Sequence, residues 1–379
     1  MEHKQPRTKI RNMGYKTKNI VDLDQKVKCI TLALRTKIST NDPLRYLACI
    51  SDYYKFKNHL YSRLRIALYS NGCSFALCTM CPIPNEASNP DLMKITVENY
   101  INQVKLALKE YSNQEIIAIY CENFFSEYEI PKEANQAILN LVKETKCKYL
   151  LIGAHPIFIT REKLKAAYDI LGDQTKLIIG LGLQSANDEI RKTCIRTPLT
   201  REVFLKAHKI IQEFGYSTKS YILLKPPFLL HDEAIKDTVE SVVWLHEQSI
   251  SDDITICPTR IAKGTVLRDL FDKNIYSQPK LAALVECLYQ IQQKKMSARV
   301  SLSSSDAPEL ETIMPSGCEI CKEKILRALR EYNNLKQVDF EKLRCPHCIA
   351  EEKKHDPKEF YNLSFQERVA YWLKLTETS

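Results

Sequence analysis

The sequence predicts an α/β fold, a parallel sheet flanked by helices. Two patterns carry this expectation. Short apolar runs of strand length recur between segments of helical periodicity, and the strand–helix alternation repeats about six times. Length agrees: 379 residues suit one large domain of about 250 residues with appendages. A full eight-fold barrel and a partial barrel both fit the repeat, and active sites of such folds lie at the C-terminal ends of the strands.

Residues 1–28 hold eight Lys/Arg against three Asp/Glu, and residues 1–60 read as a basic N-terminal extension. RLRIALY (63–69) reads as the first strand and 93–111 as a helix. IIAIY (116–120) is short, continuously apolar and rich in β-branched residues, the mark of a buried parallel strand. Further strands are expected at 148–154, 176–185, 219–227, 253–259 and 297–304. Helices are expected at 131–145, 161–169, 187–194, 200–214, 231–248 and 279–294. Gly215 supplies a stop for the helix at 200–214. The expected division is a barrel over 61–305 and a C-terminal module over 306–379.

Composition is that of an ordinary globular protein, with 44% hydrophobic and 27% charged residues. No apolar run approaches the roughly 20 residues needed to span a bilayer, and the N-terminus lacks the apolar core of a secretory signal. A cytoplasmic protein without a membrane partner is the expectation. Fourteen cysteines then stand out. In a reducing compartment, cysteines at short spacings bind metal more often than they form a disulfide scaffold. Seven are scattered (Cys29, Cys49, Cys121, Cys147, Cys194, Cys257 and Cys287) and read as small core residues. Cys121 and Cys257 lie at strand ends, where a redox role is the alternative to packing.

The other seven are grouped. Cys73, Cys78 and Cys81 form C-x4-C-x2-C directly after the first expected strand. Three thiolates on one loop suit an iron–sulfur cluster with one iron left open; zinc is the alternative from spacing alone. Cys318/Cys321 and Cys345/Cys348 form two C-x2-C pairs 23 residues apart. Four such thiolates can surround one tetrahedral Zn2+, with a second iron–sulfur cluster or free thiols as alternatives.

In context, N-G-C-S-F-A-L-C-T-M-C (71–81) resembles the radical S-adenosylmethionine superfamily, with a first gap one residue longer than its usual C-x3-C-x2-C. The resemblance implies a partial parallel (β/α)6-type barrel with a C-terminal zinc-binding module. It also implies that Cys73, Cys78 and Cys81 bind a [4Fe–4S] cluster whose open iron chelates S-adenosylmethionine, which is cleaved to a 5′-deoxyadenosyl radical. By position, Cys121, Glu122 and Asn123 occupy the place of the family's cofactor-binding motif after the second strand. G-L-G-L-Q-S-A-N-D-E-I-R (180–191) resembles a strand of the Elongator catalytic subunit, which implies that Gln184 and Ser185 face the cofactor. Arg191 and Arg196 are implied for the methionine carboxylate.

E-I-P (129–131), H-P-I-F-I (155–159), Y-I-L-L-K-P-P-F-L (221–229) and K-G-T (263–265) narrow the likeness to the RaSEA branch, the radical enzymes of archaeosine biosynthesis. That implies a C–N lyase that releases archaeosine from a lysine-adducted 7-deazaguanine base of tRNA. An archaeosine synthase-like protein and a reductant would be partners. Two departures stand in this stretch: residues 153–156 read G-A-H-P, without the acidic residue expected there, and P-I-P-N-E-A follows Cys81. His155 and Lys225 are candidates for substrate contact, although Lys225 can equally be a lysine reaching solvent. The basic arm (Lys4, Arg7, Lys9, Arg11, Lys16 and Lys18) and Lys322, Lys324, Arg327 and Arg330 suit a phosphate backbone. The alternatives are a radical enzyme acting on a small molecule or peptide, and a non-catalytic zinc-dependent tRNA-binding protein.

Overall fold

The computed structural model describes residues 22–35, 45–86, 94–121, 123–250, 252–302, 312–313 and 315–377. The basic arm from Lys4 to Lys18 lies outside them. An eight-stranded sheet runs in the order β1 (Ala48–Phe56), β2 (His59–Ala67), β3 (Ile116–Tyr120), β4 (Tyr149–Ala154), β5 (Lys176–Gln184), β6 (Ser217–Leu224), β7 (Asp253–Pro258) and β9 (Arg299–Val300). Every neighbouring pair from β2 onward is parallel. The sheet curls into a partial barrel, as the strand–helix repeat implies.

Helices α3 (Val97–Ala107), α4 (Lys132–Thr145), α5 (Arg161–Leu171), α6 (Arg201–Glu213), α7 (His231–Glu247) and α9 (Leu281–Gln293) fill the crossovers. They cover the outer face, where Ile117, Ile119, Leu150, Ile152, Leu177 and Ile179 form the main core. Thr96, Thr160 and Thr200 cap α3, α5 and α6 through side-chain oxygens that accept backbone N–H groups. No described helix is long and apolar enough to cross a membrane.

Residues 48–56, read from the sequence as part of a basic extension, form edge strand β1, antiparallel to β2. Lys57 and Asn58 make the two-residue turn with φ of 45° and 58°, the left-handed pair that tight hairpins require. The strand was not legible because Ser51, Asp52 and Lys55 interrupt its apolar run. Tyr54 on β1 reaches across the lumen, donates its hydroxyl to Asp253 on β7 and accepts from Lys219 on β6. The Arg63 and Arg299 guanidinium groups lie 4.3 and 4.1 Å from its ring centroid. Side chains thereby bridge the first and last strands, and a polar floor closes the barrel interior.

Residues 22–34 form helix α1, and α2 (Ile83–Glu86) is a single turn after the cysteine loop. Ile261–Ala262 (β8) pairs with Thr312–Ile313 (β10), and α8 (Val266–Asp272) follows β8. The C-terminal part contributes α10 (Lys322–Asn333), α11 (Pro346–Lys354) and α12 (Phe365–Glu377). Between the two cysteine pairs, α10 ends at Asn333, where an Asn-Asn-Leu turn intervenes before a short 3-10 turn at Glu341–Leu343. A second apolar cluster sits at the mouth of the barrel. It joins Val27 of α1, Met80 of the cysteine loop, Ile195, Phe228, Leu267 of α8 and Trp372 of α12.

Candidate active site and metal centre

The loop after β2 carries Cys73, Cys78 and Cys81 at the C-terminal end of the strand, the end where ligands of parallel barrels bind. Its path needs left-handed backbone at Gly72 (φ 85°) and Ala76 (φ 51°). Neighbours clamp it on several sides. The Thr79 N–H donates to Ile195 O at 3.0 Å and its hydroxyl to Cys194 O at 2.6 Å. Leu267 N–H of α8 donates to Thr79 O at 3.1 Å. Asn85 donates to Lys263 O and Gly264 O at 2.9 and 3.1 Å, which engages the K-G-T segment. Arg35, just past α1, donates to the carbonyls of Ala76, Cys78 and Cys81.

On the barrel side, Glu129 is a fully buried hub. It accepts from the Ser74 N–H and hydroxyl, both at 3.0 Å, and from the Asn123 backbone and side-chain N–H groups at 2.8 Å. Asn123 Nδ2 lies 4.0 Å from Cys73 Sγ, and Asn123 Oδ1 accepts the His155 N–H at 2.7 Å. Cys73, Asn123 and His155 are thus tied together across β2, β3 and β4. Glu122 lies outside the described residues. Glu129 and Arg35 carry no metal-ligand or cofactor spacing that would mark them in the sequence.

Burial pushes the Cys78 thiol up, and the neighbouring Cys81 and Cys73 sulfurs push it further. The three thiols lie close enough to act on one another's charge and on the Arg35 guanidinium, and three such soft donors on one loop suit an anionic iron–sulfur cluster bound as thiolates.

Gln184 ends β5 with a left-handed φ of 68°. Its side-chain amide folds back over Gly182, where a Cβ would collide with it. At Gly180, on the same inner face, a Cβ would lie 2.8 Å from the Tyr221 ring. The two glycines therefore leave inner-face space that Gln184 and Tyr221 occupy. Ser185 turns the other way, outward to α7. It is buried, and its hydroxyl donates to Asp237 at 2.6 Å while accepting the Asn187 N–H at 3.0 Å. Arg191 is fully buried in a π-helical turn (Ile190–Ile195) and donates to Ser185 O, Leu199 O and Asp188. Arg196 donates to the Asp24 carboxylate at 2.9 Å and its carbonyl at 3.2 Å, which ties the turn to α1. Cys121 follows β3, half-buried, and Cys257 lies in β7, where burial raises its thiol to about 11.

Lys225 points neither to solvent nor into an open mouth. Its buried ammonium donates to Ser277 at 2.9 Å and lies 3.6 and 3.5 Å from Glu352 and Asp356 of the C-terminal module. His155 is held neutral, its pKa lowered to about 4 by burial. Its Nδ1 accepts the Ile157 N–H, and its buried Nε2 finds no hydrogen-bond partner among the described residues.

Cys318, Cys321, Cys345 and Cys348 bring four sulfurs within 4.8 Å of one another. Cys321–Cys348 and Cys318–Cys345 are separated by 3.4 and 4.0 Å. A tetrahedral ion with metal–sulfur bonds of about 2.3 Å needs sulfurs about 3.8 Å apart. The set fits one metal ion and is too tight for a four-iron cube. Hydrogen bonds from Cys321 lower the Cys318 thiol to about 6, whereas Cys321 and Cys348 are pushed up by burial.

Residues 68–240 match the Radical SAM superfamily model. An uncharacterized protein of Methanocaldococcus jannaschii is 31% identical over 253 residues, which cover 64% of this chain and 68% of that protein. The archaeosine synthase subunit beta of Methanosarcina acetivorans is 27% identical over 278 residues, covering 71% of this chain and 78% of that one. That of Thermococcus kodakarensis is 28% identical over 228 residues, covering 59% and 68%. Among solved structures, an archaeal Elp3 from Methanocaldococcus infernus superposes with a TM-score of 0.48 at 17% identity, covering 68% of this chain and 62% of that one. The chain belongs to the radical SAM superfamily, whose enzymes use a [4Fe–4S] cluster and S-adenosylmethionine.

Proposed function

We propose that this chain is a C–N lyase of tRNA modification, which releases archaeosine from a lysine-adducted 7-deazaguanine base. The observation that carries this reading is the relatedness, over 71% and 59% of this chain, to two proteins named archaeosine synthase subunit beta. Held at Cys73, Cys78 and Cys81, the cluster with S-adenosylmethionine supplies a 5′-deoxyadenosyl radical at the barrel mouth.

The chain's own residues then have distinct tasks. Glu129 and Asn123 fix the Cys73 side of the loop. Gln184, lying over the inner-face glycines, contacts the cofactor from the β5 side. His155, neutral and with Nε2 unpartnered among the described residues, contacts substrate as a hydrogen-bond donor, because Nδ1 already accepts a backbone N–H. Ser185, Arg191 and Arg196 enter as struts of the strand end and of α1, in place of the cofactor contacts the family resemblance implies. Lys225 likewise serves the C-terminal module rather than substrate. The four C-terminal cysteines hold zinc. The cationic side chains of α10, with the N-terminal arm, bind the tRNA backbone, an interaction that weakens steeply with salt. An archaeosine synthase-like protein supplies the adduct, and an external donor supplies the electron.

The test is a single-turnover assay under anaerobic conditions with tRNA carrying the lysine adduct, digested afterwards to nucleosides. Archaeosine is the expected product. Adduct left intact while 5′-deoxyadenosine accumulates would refute the substrate and leave the radical chemistry standing.

A further inference from the structure

Helix α1 docks by an apolar stripe at Leu23, Val27, Ile30 and Leu34, which packs into the mouth cluster beside Met80, Cys78 and Cys81. Two polar contacts fix its N-terminal half, Asp24 with Arg196 and Lys26 with Glu377. The stripe's last turn delivers Arg35 onto the cysteine loop. There the guanidinium spends its whole fork on main-chain carbonyls. Nε and Nη2 donate to Ala76 O at 3.2 and 2.9 Å, and Nη2 also to Cys78 O at 2.9 Å. Nη1 donates to Cys81 O at 2.6 Å and to Gly264 O at 3.4 Å.

A partly buried guanidinium ordinarily sits against a carboxylate. Arg35 has none among the described residues. The groups that act on its charge are burial, which opposes it, and the Cys81, Cys78 and Cys73 sulfurs, which favour it. Carbonyl oxygens solvate the fork but carry no net charge. The counter-charge this site lacks is the one that three cluster-bound thiolates would provide.

We infer that Arg35 is a positioning and electrostatic residue of the cluster: it holds the cysteine loop in shape and, as a fixed positive charge beside it, eases one-electron reduction. The inference rests on the cluster and not on the proposed tRNA substrate. Reduction by an external one-electron donor adds a negative charge to the cluster, and an adjacent cation in a low-dielectric site stabilises the reduced form more than the oxidised one. Removing the charge therefore moves the midpoint potential to more negative values. The dependence is mutual, because without the anionic cluster Arg35 is a desolvated charge with no counter-ion, and the hold on α1 weakens.

Two measurements test this. The first is a potentiometric titration of the reconstituted full chain, followed by electron paramagnetic resonance, for the wild type, Arg35→Lys and Arg35→Gln. Arg35→Gln is expected to shift the potential negative. Arg35→Lys should stay close to the wild type in potential while losing cluster more readily on gel filtration, because a point charge replaces the fork. An unchanged potential in a fully loaded Arg35→Gln protein would overturn the electrostatic role. The second needs no variant: hydrogen exchange over residues 22–35 of the wild type, with and without the cluster. Slower exchange on loading is expected, and equal exchange would overturn the mutual dependence. Failure of the wild type to take up a cluster at all would instead sink the radical assignment itself, together with this inference.

Discussion

Lys225, in the turn after β6, and Glu352, in α11, face each other across 3.6 Å with both side chains buried. Asp356 lies 3.5 Å from the same ammonium and accepts the His231 N–H at 2.8 Å. Glu352 also accepts the Lys280 N–H at 3.0 Å. One lysine at the barrel mouth thus anchors two carboxylates of the C-terminal module to the ends of β6 and α7. Replacing it leaves two buried carboxylates with only Lys280 and His231 groups as partners among the described residues. Lys225→Met is expected to lower unfolding free energy by about 3–5 kcal/mol, the usual cost of breaking a buried pair from one side. Urea denaturation checks this, and the double change Lys225→Met with Glu352→Gln should recover part of the loss.

Glu352 stands one helical turn beyond Cys348 on α11. A metal ion at the four cysteines therefore sets the register of the helix that meets Lys225. One zinc per chain is expected by elemental analysis. Cys348→Ser or strong chelation should lower the melting temperature and increase protease cleavage of the α11–α12 segment, because a structural metal site adds its binding energy to folding. A melting temperature indifferent to metal content would contradict the assignment.

Much of the fold was legible, and the reasons are local. Ile116–Tyr120 is continuously apolar and bounded, so its strand was readable to the residue. β1 was not, because half of its residues face solvent or the polar lumen and carry Asp52, Tyr54 and Lys55. The C-terminal cysteine pairs were legible, because thiol spacing reports chemistry directly and their four sulfurs do come together. Lys225, Arg191 and Arg196 were not: a cation at a strand end reads the same whether its partner is a ligand or a carboxylate or carbonyl distant in sequence. Arg35 and Glu129 act through contacts 41 and 55 residues away in the chain, and no pattern of single residues encodes those.

Asp237 gives a pH signature. Burial raises its carboxyl from 3.8 to about 7, against the Ser185 hydroxyl bond and nearby Arg191, which oppose the shift. Its buried Oδ2 has no hydrogen-bond partner among the described residues, which disfavours the ionised form. The folded chain holds a proton that the unfolded chain releases above about pH 4, so stability falls as pH rises from about 4 to 7, by up to about 1.4 kcal/mol per pH unit. Asp237→Asn keeps the Ser185 contact and removes the penalty. Thermal melts should show it more stable than wild type at pH 8 and nearly equal to it at pH 4.

His155 titrates in the opposite sense. Its pKa is lowered from 6.5 to about 4 by burial, so the folded chain resists a proton that the unfolded chain accepts. Its contribution is present above pH 6.5 and is lost as pH falls toward 4. His155→Gln should flatten the acid limb of the stability profile. In activity assays it should depress product formation by about 10-fold or more, the cost of an unmet hydrogen bond to substrate. Substrate-free formation of 5′-deoxyadenosine should be little changed.

The loop carrying Cys73, Cys78 and Cys81 is expected to hold a cluster that cleaves S-adenosylmethionine. Anaerobic reconstitution with iron and sulfide, followed by reduction in the presence of S-adenosylmethionine, measures it directly. Chromatography should show 5′-deoxyadenosine from the wild type and none from the triple change of these cysteines to Ala, with the four C-terminal cysteines still metal-loaded. A wild-type protein that takes zinc at the triplet and releases no 5′-deoxyadenosine would rule out radical chemistry at this loop.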